Sequence, residues 1–442
     1  MRRYLALAKG GAKTRFVIAF GIKFLNAGLS FLVTAILARR AGPEIVGYYA
    51  FAVSTGGLIG AFALMGLDQV VLRTVAGDLR QGDLAGARAV LRQAVQRVVP
   101  VSLAAAGLYL VALYFTPLTG LIHGDRQTLA VAAFAIVLYP VWRVGLAGVR
   151  GAGLPLYGQF LDGCVQSLLL VVAYMVVLGA GARLTAALAT GLFLCGMFVS
   201  AAWSWGVVRR AGRNWPEPCA PRLSHLFGAG LPFMVLMVTN SMAEWIAYAV
   251  VGGTADAAAV GAFRVAVQMS TIIALVATTA ETYVAPGYAG DFREGNFQQA
   301  WRRHRQSSLF MAALAGAPVV LCMLFPQFIV GTLFGSQFLG AALPLQILAA
   351  GQAANVCFGP VGAMLSMSNH ERLLLATSLS ALVVLAVVSI VLVPRFGTAG
   401  AAAAVSSTLA YRNLVAYLLA RHFLPASQRR WPEADDVPTA TA

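Results

Sequence analysis

Apolar residues run along the chain in stretches of about 20 residues or more, separated by short segments rich in glycine, proline and charge. A membrane-spanning helix needs about 20 predominantly apolar residues, so each stretch predicts one span. The pattern predicts an all-α integral membrane protein with about twelve transmembrane helices. The runs fall at 16–38, 45–67, 95–116, 127–148, 156–179, 185–207, 226–251, 257–281, 308–329, 341–366, 372–393 and 398–420.

Composition agrees with this interpretation. Of the 442 residues, 59% are apolar and 11% charged, against about a quarter charged in soluble domains, and the mean hydropathy is +0.77. These values exclude a soluble enzyme, a disordered chain and a disulfide scaffold. The net charge of +16 would suggest nucleic acid in a soluble protein. Here the basic residues lie between apolar runs, where they anchor the membrane topology, so no nucleic-acid partner is predicted.

Lysine and arginine are unevenly divided between the two sets of connections. The connections on the side of the N-terminus carry 23 of them and those on the opposite side carry five. The positive-inside rule therefore predicts that both termini are cytoplasmic. The run 16–38 is too long for the apolar region of a signal peptide, so we expect it to remain as the first span of a multi-pass protein in a bacterial inner (plasma) membrane.

An internal repeat divides the chain into two equivalent halves. Residues 76–84 read AGDLRQGDL and residues 289–297 read AGDFREGNF, with five of nine positions identical at an offset of 213. One residue of slippage further upstream aligns Val46-Gly47 with Val260-Gly261. Six spans return the chain to its starting side, so the halves have the same orientation, as in the parallel repeats of transporters.

The repeat predicts two six-helix lobes around a cleft that alternately opens to each side of the membrane, an architecture typical of transporters. A duplication that only enlarged the bundle is the alternative. The predicted segments are a cytoplasmic N-terminal tail 1–15, an N-lobe 16–208, a cytoplasmic linker 209–225, a C-lobe 226–420 and a cytoplasmic C-terminal tail 421–442.

Polar residues within the first span fall on one helical face. Lys23, Asn26, Ser30 and Thr34 follow one another at three- or four-residue spacing, which places them together on an otherwise apolar helix. Lys23 could reach the headgroups by extending its side chain, but this does not explain the other three residues. We expect Lys23 and Asn26 to line a substrate cavity.

The seventh and eighth spans carry Glu244 and Arg264 at similar depth. An ion pair between these two residues is sterically plausible. It would be either a structural link between adjacent helices or part of substrate binding and ion coupling, and both hold if substrate or a proton breaks the pair.

Three further ionisable residues lie inside predicted spans. Asp162, between Gln159 and Gln166 on one helical face, is a candidate for ion coupling, since a carboxylate in a low-dielectric site can bind and release a proton; it could equally complete a polar network. Arg143 lies near the cytoplasmic end of its span, which favours an interfacial position, and Arg412 lies deeper in the last. Together with Lys23 and Arg264, these arginines predict a cationic cleft that favours an anion.

The sequence contains no catalytic constellation. It has no phosphate-binding lysine loop, no GxSxG and no HExxH motif, and these are the patterns that ATPases, hydrolases and zinc peptidases need. The five cysteines are scattered without metal-ligand spacing. We therefore predict no enzyme activity, no metal site and no cofactor.

Two segments carry a resemblance to a known family. The first loop reads ARRAGPEIVGYY over 38–49, and the second span ends in MGLD over 65–68 before VLR over 71–73. In this order, and with twelve duplicated spans, they resemble the polysaccharide-transporter (oligosaccharide-lipid flippase) family of the MATE-like MOP exporter superfamily. The resemblance covers about residues 10–420, and the chain lacks the two additional helices of the fourteen-helix lipid II flippases.

The resemblance implies a V-shaped pair of lobes with the first, second, seventh and eighth helices facing the cleft. It implies an undecaprenyl-pyrophosphate-linked oligosaccharide as substrate, bound by cationic residues while its lipid tail stays among the membrane lipids. It also implies coupling to H+ or Na+ and partners among other polysaccharide-assembly proteins, as in lipopolysaccharide or O-antigen synthesis. No residue here matches a fixed site motif of the family.

Two other functions remain open at this point. A multidrug or small-metabolite cation antiporter of the same superfamily would present acidic residues to its substrate. A membrane-embedded glycan polymerase or ligase fits the apolar composition, but the short outer connections disfavour it.

Overall fold

The computed structural model describes residues 12–115, 125–213, 215–216, 226–368 and 370–424. All regular structure within these ranges is helical, so the predicted all-α class is confirmed. Most of the predicted N-terminal tail, linker 209–225 and C-terminal tail lies outside the described residues.

Fourteen helices follow one another in the described ranges. A π segment at Phe160–Cys164 interrupts one of them. A 3-10 segment at Ser336–Ala341 joins two others. The helices are α1 Ala12–Ala41, α2 Pro43–Leu64, α3 Leu67–Gln81, α4 Leu84–Phe115, α5 Arg126–Gly151, α6 Pro155–Gly179, α7 Ala186–Ala211, α8 Leu226–Thr254, α9 Ala257–Arg293, α10 Phe297–Leu324, α11 Pro326–Phe334, α12 Ala342–Phe358, α13 Val361–Met367 and α14 Glu371–Phe423.

Eleven described segments are helical, long and apolar enough to cross a membrane. The last of these contains two predicted spans, because the backbone of α14 leaves helical geometry at Gly397, with φ +56°. Both arms of α14 therefore correspond to the predicted spans 372–393 and 398–420.

Four predicted span boundaries differ from the ends of the helices by many residues. Helix α9 ends at Arg293, 12 residues after the predicted end at 281. Helices α4 and α10 begin at Leu84 and Phe297, 11 residues before the predicted starts at 95 and 308, because their basic N-terminal segments continue the helix without a break. The predicted span 341–366 is not one continuous helix, because it breaks at Gly359, where φ is +70°. It contains α12 and most of α13.

The sequence repeat is also a repeat of backbone structure. At the end of α3 and at the end of α9 a glycine takes a positive φ, and the next residue donates its N–H, over 2.8 Å, to the carbonyl five positions earlier. That same residue accepts the N–H that begins the following helix. The residues are Gly82 and Asp83 in the first half and Gly295 and Asn296 in the second. Glycine suits this position because a side chain disfavours the left-handed region.

Large apolar side chains are exposed along the helices, as expected where lipid is the solvent. Leu108, Phe115, Phe134 and Phe328 each expose 70% or more of their surface. A soluble protein would not carry so many on long apolar helices. The chain is a multi-pass integral membrane protein.

The described residues pack into two compact units. The first contains residues up to Gln268 with Gln327–Ala342 and Ser389–Ala401, and the second contains Met269–Pro326, Leu343–Val388 and residues from Ala402 onward. A core around Val90, Trp142, Leu146 and Leu161 holds the first. Packing thus places α8 and the start of α9 with the first half, whereas the predicted lobes follow the sequence repeat.

Candidate functional site

A polar cavity of about 380 Å³ lies within the first unit. Helices α1, α2, α5, α6, α7, α8 and α9 all contribute to it, and its walls mix apolar side chains with hydroxyl, amide and charged groups. Its polar lining consists of Asn26, Ser30, Thr34, Tyr49, Ser54, Tyr139, Asp162, Gln166, Ser167, Ser241, Glu244 and Arg264. We call this space the polar cavity.

The polar stripe predicted on the first span forms one wall of the polar cavity. Asn26, Ser30 and Thr34 all line it, because their spacing keeps them on one face of α1. Lys23, about one turn earlier, is half-buried and is not among the lining residues.

Helix α6 holds α1 in place through three polar contacts. Gln159 Nε2 donates to the carbonyl of Ala19 over 3.1 Å, and Cys164 Sγ lies 3.4 Å from the carbonyl of Ile22. Farther along, Ser167 Oγ lies 3.4 Å from Asn26 Oδ1. The residue numbers increase together on both helices, so α1 and α6 run parallel and side by side.

The segment of α6 beside Asn26 leaves no room for a larger residue. A β-carbon on Gly163 would overlap the amide group of Asn26. Gly163 belongs to the π segment Phe160–Cys164. Such π segments within α-helices are frequently found at functional sites.

Asp162, in the same π segment, joins the polar cavity to a charge network. Its carboxylate pairs with Arg150 and lies 3.7 Å from Nη1 of Arg143. Arg143 Nη2 in turn donates to Asp68 over 2.8 Å. Two carboxylates thus alternate with two guanidinium groups behind one wall of the cavity.

Asp68 is the most deeply buried member of the charge network. Its side chain exposes only 5% of its surface, and Oδ1 has no hydrogen-bond partner among the described residues. It lies at the start of α3, just after Met65 and Gly66 interrupt the helix with positive φ values. Arg143 therefore neutralises a buried carboxylate. Its place in the sequence instead favours a position for Arg143 at the membrane interface.

The predicted ion pair between Glu244 and Arg264 is confirmed. Arg264 Nη1 lies 3.1 Å from Glu244 Oε1 and donates to the hydroxyl of Tyr248 over 3.1 Å. Its second terminal nitrogen donates to Gln268 over 3.4 Å. The pair is unequal in exposure, since the Glu244 side chain exposes 51% of its surface and that of Arg264 24%.

Four of the seven predicted site residues line the polar cavity: Asn26, Asp162, Glu244 and Arg264. Arg143 touches the cavity only through Asp162. Arg412 belongs to the second unit, where it is half-buried and subject to the charge of Glu281. Within the polar cavity, two carboxylates accompany a single guanidinium group.

The candidate site residues predicted from the sequence did not include Asp68, Arg150 or Gln166. Asp68 and Arg150 were assigned to connections, where charges need no explanation. Gln166 is buried and lines the polar cavity. Its Nε2 has no hydrogen-bond partner among the described residues. Its position one turn after Asp162 on the same face was the available signal.

Comparisons with known proteins find the same fold in solved transporter structures. No protein-family model matches the chain. The chain is 22% identical to the probable low-salt glycan biosynthesis flippase Agl15 of Haloferax volcanii, over 92% of this chain and 82% of that protein. An inward-facing multidrug resistance MATE family transporter of the MOP superfamily matches with a TM-score of 0.74 and 17% identity, covering 93% of this chain and 98% of that one.

The chain has the fold of MOP-superfamily transporters. The lipid II flippase MurJ in an inward closed conformation also matches, with a TM-score of 0.73 and 14% identity, covering 92% of this chain and 87% of that one. The resemblance predicted from the first loop, the end of the second span and the duplicated spans is confirmed.

Proposed function

We propose that this chain is a flippase that moves a lipid-linked oligosaccharide across the membrane by ion-coupled alternating access. The observation that carries the proposal is the polar cavity, whose wall includes the Glu244–Arg264 ion pair, in a chain similar to a glycan biosynthesis flippase. The undecaprenyl-pyrophosphate carrier and a place in O-antigen or lipopolysaccharide assembly belong to this proposal.

The neutral polar lining suits a glycan. Asn26, Ser30, Thr34 and Gln166 offer amide and hydroxyl groups, which can both donate and accept hydrogen bonds with sugar hydroxyls. Gln166 Nε2 has no described partner. A buried donor without a partner is costly, so a sugar hydroxyl that accepts from it would lower the free energy of the bound state.

Arg264 is the residue that we assign to the phosphate end of the headgroup. A guanidinium group binds phosphate oxygens through charge-assisted hydrogen bonds. Glu244 occupies one of its terminal nitrogens, so phosphate and Glu244 compete for Arg264. Protonation of Glu244 weakens its hold on Arg264, and this links phosphate binding to a proton.

Asp162 is the second candidate for ion coupling. It lines the polar cavity and pairs with Arg150. A proton or Na+ at Asp162 would release the charge network behind the cavity. A two-state element of this kind is what alternating access needs.

The positive-inside count supports cytoplasmic termini, and a location in the plasma membrane belongs to this proposal. We infer no enzymatic step. The membrane-embedded polymerase or ligase is the least supported alternative, because the short outer connections disfavour it.

A cation antiporter is the second candidate function, and one observation favours it. Asp162 and Glu244 give the polar cavity two carboxylates against one guanidinium, a balance that suits a cationic substrate. Deletion of the gene would then sensitise cells to cationic drugs without changing the pool of lipid-linked glycan.

The test is the mass and leaflet distribution of carrier-linked saccharides in a deletion strain. We expect a lipid-linked glycan to accumulate on the cytoplasmic leaflet and to be cleared by the wild-type gene. Arg264→Ala and Glu244→Gln should fail to clear it at normal membrane levels. Arg126→Ala is the control, since Arg126 is exposed at the start of α5 and does not line the polar cavity. An unchanged pool of lipid-linked glycan in the deletion strain contradicts the proposal.

A further inference from the structure

A second, mostly apolar cavity lies between α1 and α6, beyond their polar contacts. Its volume is about 650 Å³, within the range of ligand sites of roughly 300–1,000 Å³. Apolar side chains form its walls and two arginines, Arg39 and Arg40, complete it. The larger apolar residues are Phe31, Leu32, Ile36, Met175, Leu178 and Leu333. We call this space the outer groove.

The third wall of the outer groove is fixed by Arg39. Its Nε donates to the carbonyl of Leu333 over 3.0 Å, and Nη2 donates to the carbonyl of Thr332. These carbonyls end helix α11 and have no partner within the helix, so a guanidinium group is a favourable cap. Phe31 packs edge-on against Phe334, with the two ring centroids 5.4 Å apart. This contact also holds α11 to α1.

Arg40 differs from Arg39 because it forms neither a hydrogen bond nor an ion pair with any described residue, whereas Arg39 donates to two backbone carbonyls. Its side chain is exposed at the end of α1 and lines the outer groove. Arg40 lies on the side opposite the termini, where the sequence places only five basic residues against 23. The positive-inside rule therefore gives no topological reason for two consecutive arginines here.

An apolar channel that ends at two guanidinium groups has the chemistry of a site for a lipid phosphate. The chain of the lipid would replace the membrane contacts of Leu32 and Met175, which expose 43% and 57% of their surface. The phosphate would meet Arg40 at the level of the headgroups, where arginine attracts anionic lipid.

We propose that the outer groove binds the polyisoprenyl phosphate carrier, with its chain between α1 and α6 and its phosphate at Arg40. This inference rests on the proposed function, since it assigns a site to the lipid part of the proposed substrate. A groove closed on three sides by α1, α6 and α11 suits one isoprenoid chain better than the paired acyl chains of a phospholipid. The outer groove and the polar cavity share α1 and α6, so one lipid-linked substrate could contact both helices.

Photolabelling with a glycan-free lipid tests this proposal. The full chain would be purified in phosphatidylcholine nanodiscs and exposed to a polyprenyl monophosphate that carries a diazirine. We expect the label in peptides covering 31–40 or 175–179. Excess unlabelled polyprenyl monophosphate should abolish the labelling, and equal phosphatidylglycerol should not.

Two pairs of variants make the test specific. Met175→Trp narrows the groove and should reduce labelling. Val176→Trp is matched in depth and exposure, is not a lining residue, and should label normally. Arg40→Glu should reduce labelling at least about fivefold, which is the effect of one arginine near a lipid headgroup. Arg126→Glu should leave the labelling unchanged.

Several results would overturn the proposal. Phosphatidylglycerol that competes as well as polyprenyl phosphate would make the groove a site for bulk lipid. Equal labelling of Met175→Trp and Val176→Trp would place the site elsewhere. The probe carries no glycan, so the two proposals fail separately. Specific labelling without glycan translocation would contradict only the proposed function, and translocation without labelling would contradict only the groove.

Discussion

Gly47 and Gly261, which are equivalent in the two repeats, pack against each other at the N-terminal ends of α2 and α9. A β-carbon on Gly47 would overlap the carbonyl of Ala257, and one on Gly261 would overlap the carbonyl of Pro43. Ala257 lies four positions before Gly261, and Pro43 lies four positions before Gly47, so the two overlaps are equivalent. The contact therefore has twofold symmetry, and only glycine allows this approach of the two backbones.

Gly47→Ala should destabilise the protein because both clashing groups are backbone. Overpacking typically costs about 1–3 kcal/mol, so we expect a lower midpoint of thermal unfolding in detergent. Gly107→Ala is the matched control, since a β-carbon there meets nothing within 4 Å and alanine favours a helix by about 1 kcal/mol. Equal midpoints for the two variants would contradict the close approach.

Removal of Arg143 should cost more stability than removal of any exposed arginine. Arg143→Gln leaves the carboxylate of Asp68, only 5% exposed, without its partner. Breaking a buried pair in this way costs about 3–5 kcal/mol. Thermal unfolding of the purified protein measures the loss.

The double variant Asp68→Asn with Arg143→Gln should recover most of that stability, because no uncompensated charge remains. A double variant as unstable as the single one would show that Asp68 is not the partner that matters. The contact of Arg143 with Asp162 would then carry the effect.

Arg264→Ala should separate function from stability. Glu244, the partner left behind, exposes 51% of its side chain, so water can solvate it and the loss of stability should stay near the 1 kcal/mol of exposed pairs. We expect near-normal thermal unfolding together with lost clearance of lipid-linked glycan. A protein that unfolds early would instead assign the pair a mainly structural role.

The helices, the repeat and the stripe of α1 could be predicted from the sequence because each follows from local spacing. The Glu244–Arg264 pair was also predictable, since short connections bring consecutive helices together at known depth. In these cases the spacing of residues along the chain identified the helical face on which they lie and the helix beside it.

The charge network could not be predicted in the same way. Asp68 and Arg143 are 75 positions apart, and hydropathy assigned Asp68 to a connection. The π segment that turns Asp162 toward both Arg143 and the cavity has no signature in the spacing of apolar residues. The outer groove likewise depends on Leu333, which packing brings to α1 from a distant part of the chain.

The most direct test of the central claim is translocation by the purified protein in proteoliposomes. The lipid-linked oligosaccharide would be loaded in both leaflets, and a membrane-impermeant glycosidase would report the fraction exposed outside, with and without a pH gradient. The account predicts gradient-dependent translocation by the wild type and at least about tenfold slower translocation by Arg264→Ala, the effect of losing one charge-assisted hydrogen bond. Translocation no faster than in protein-free liposomes, or a rate unaffected by Arg264→Ala, would contradict it.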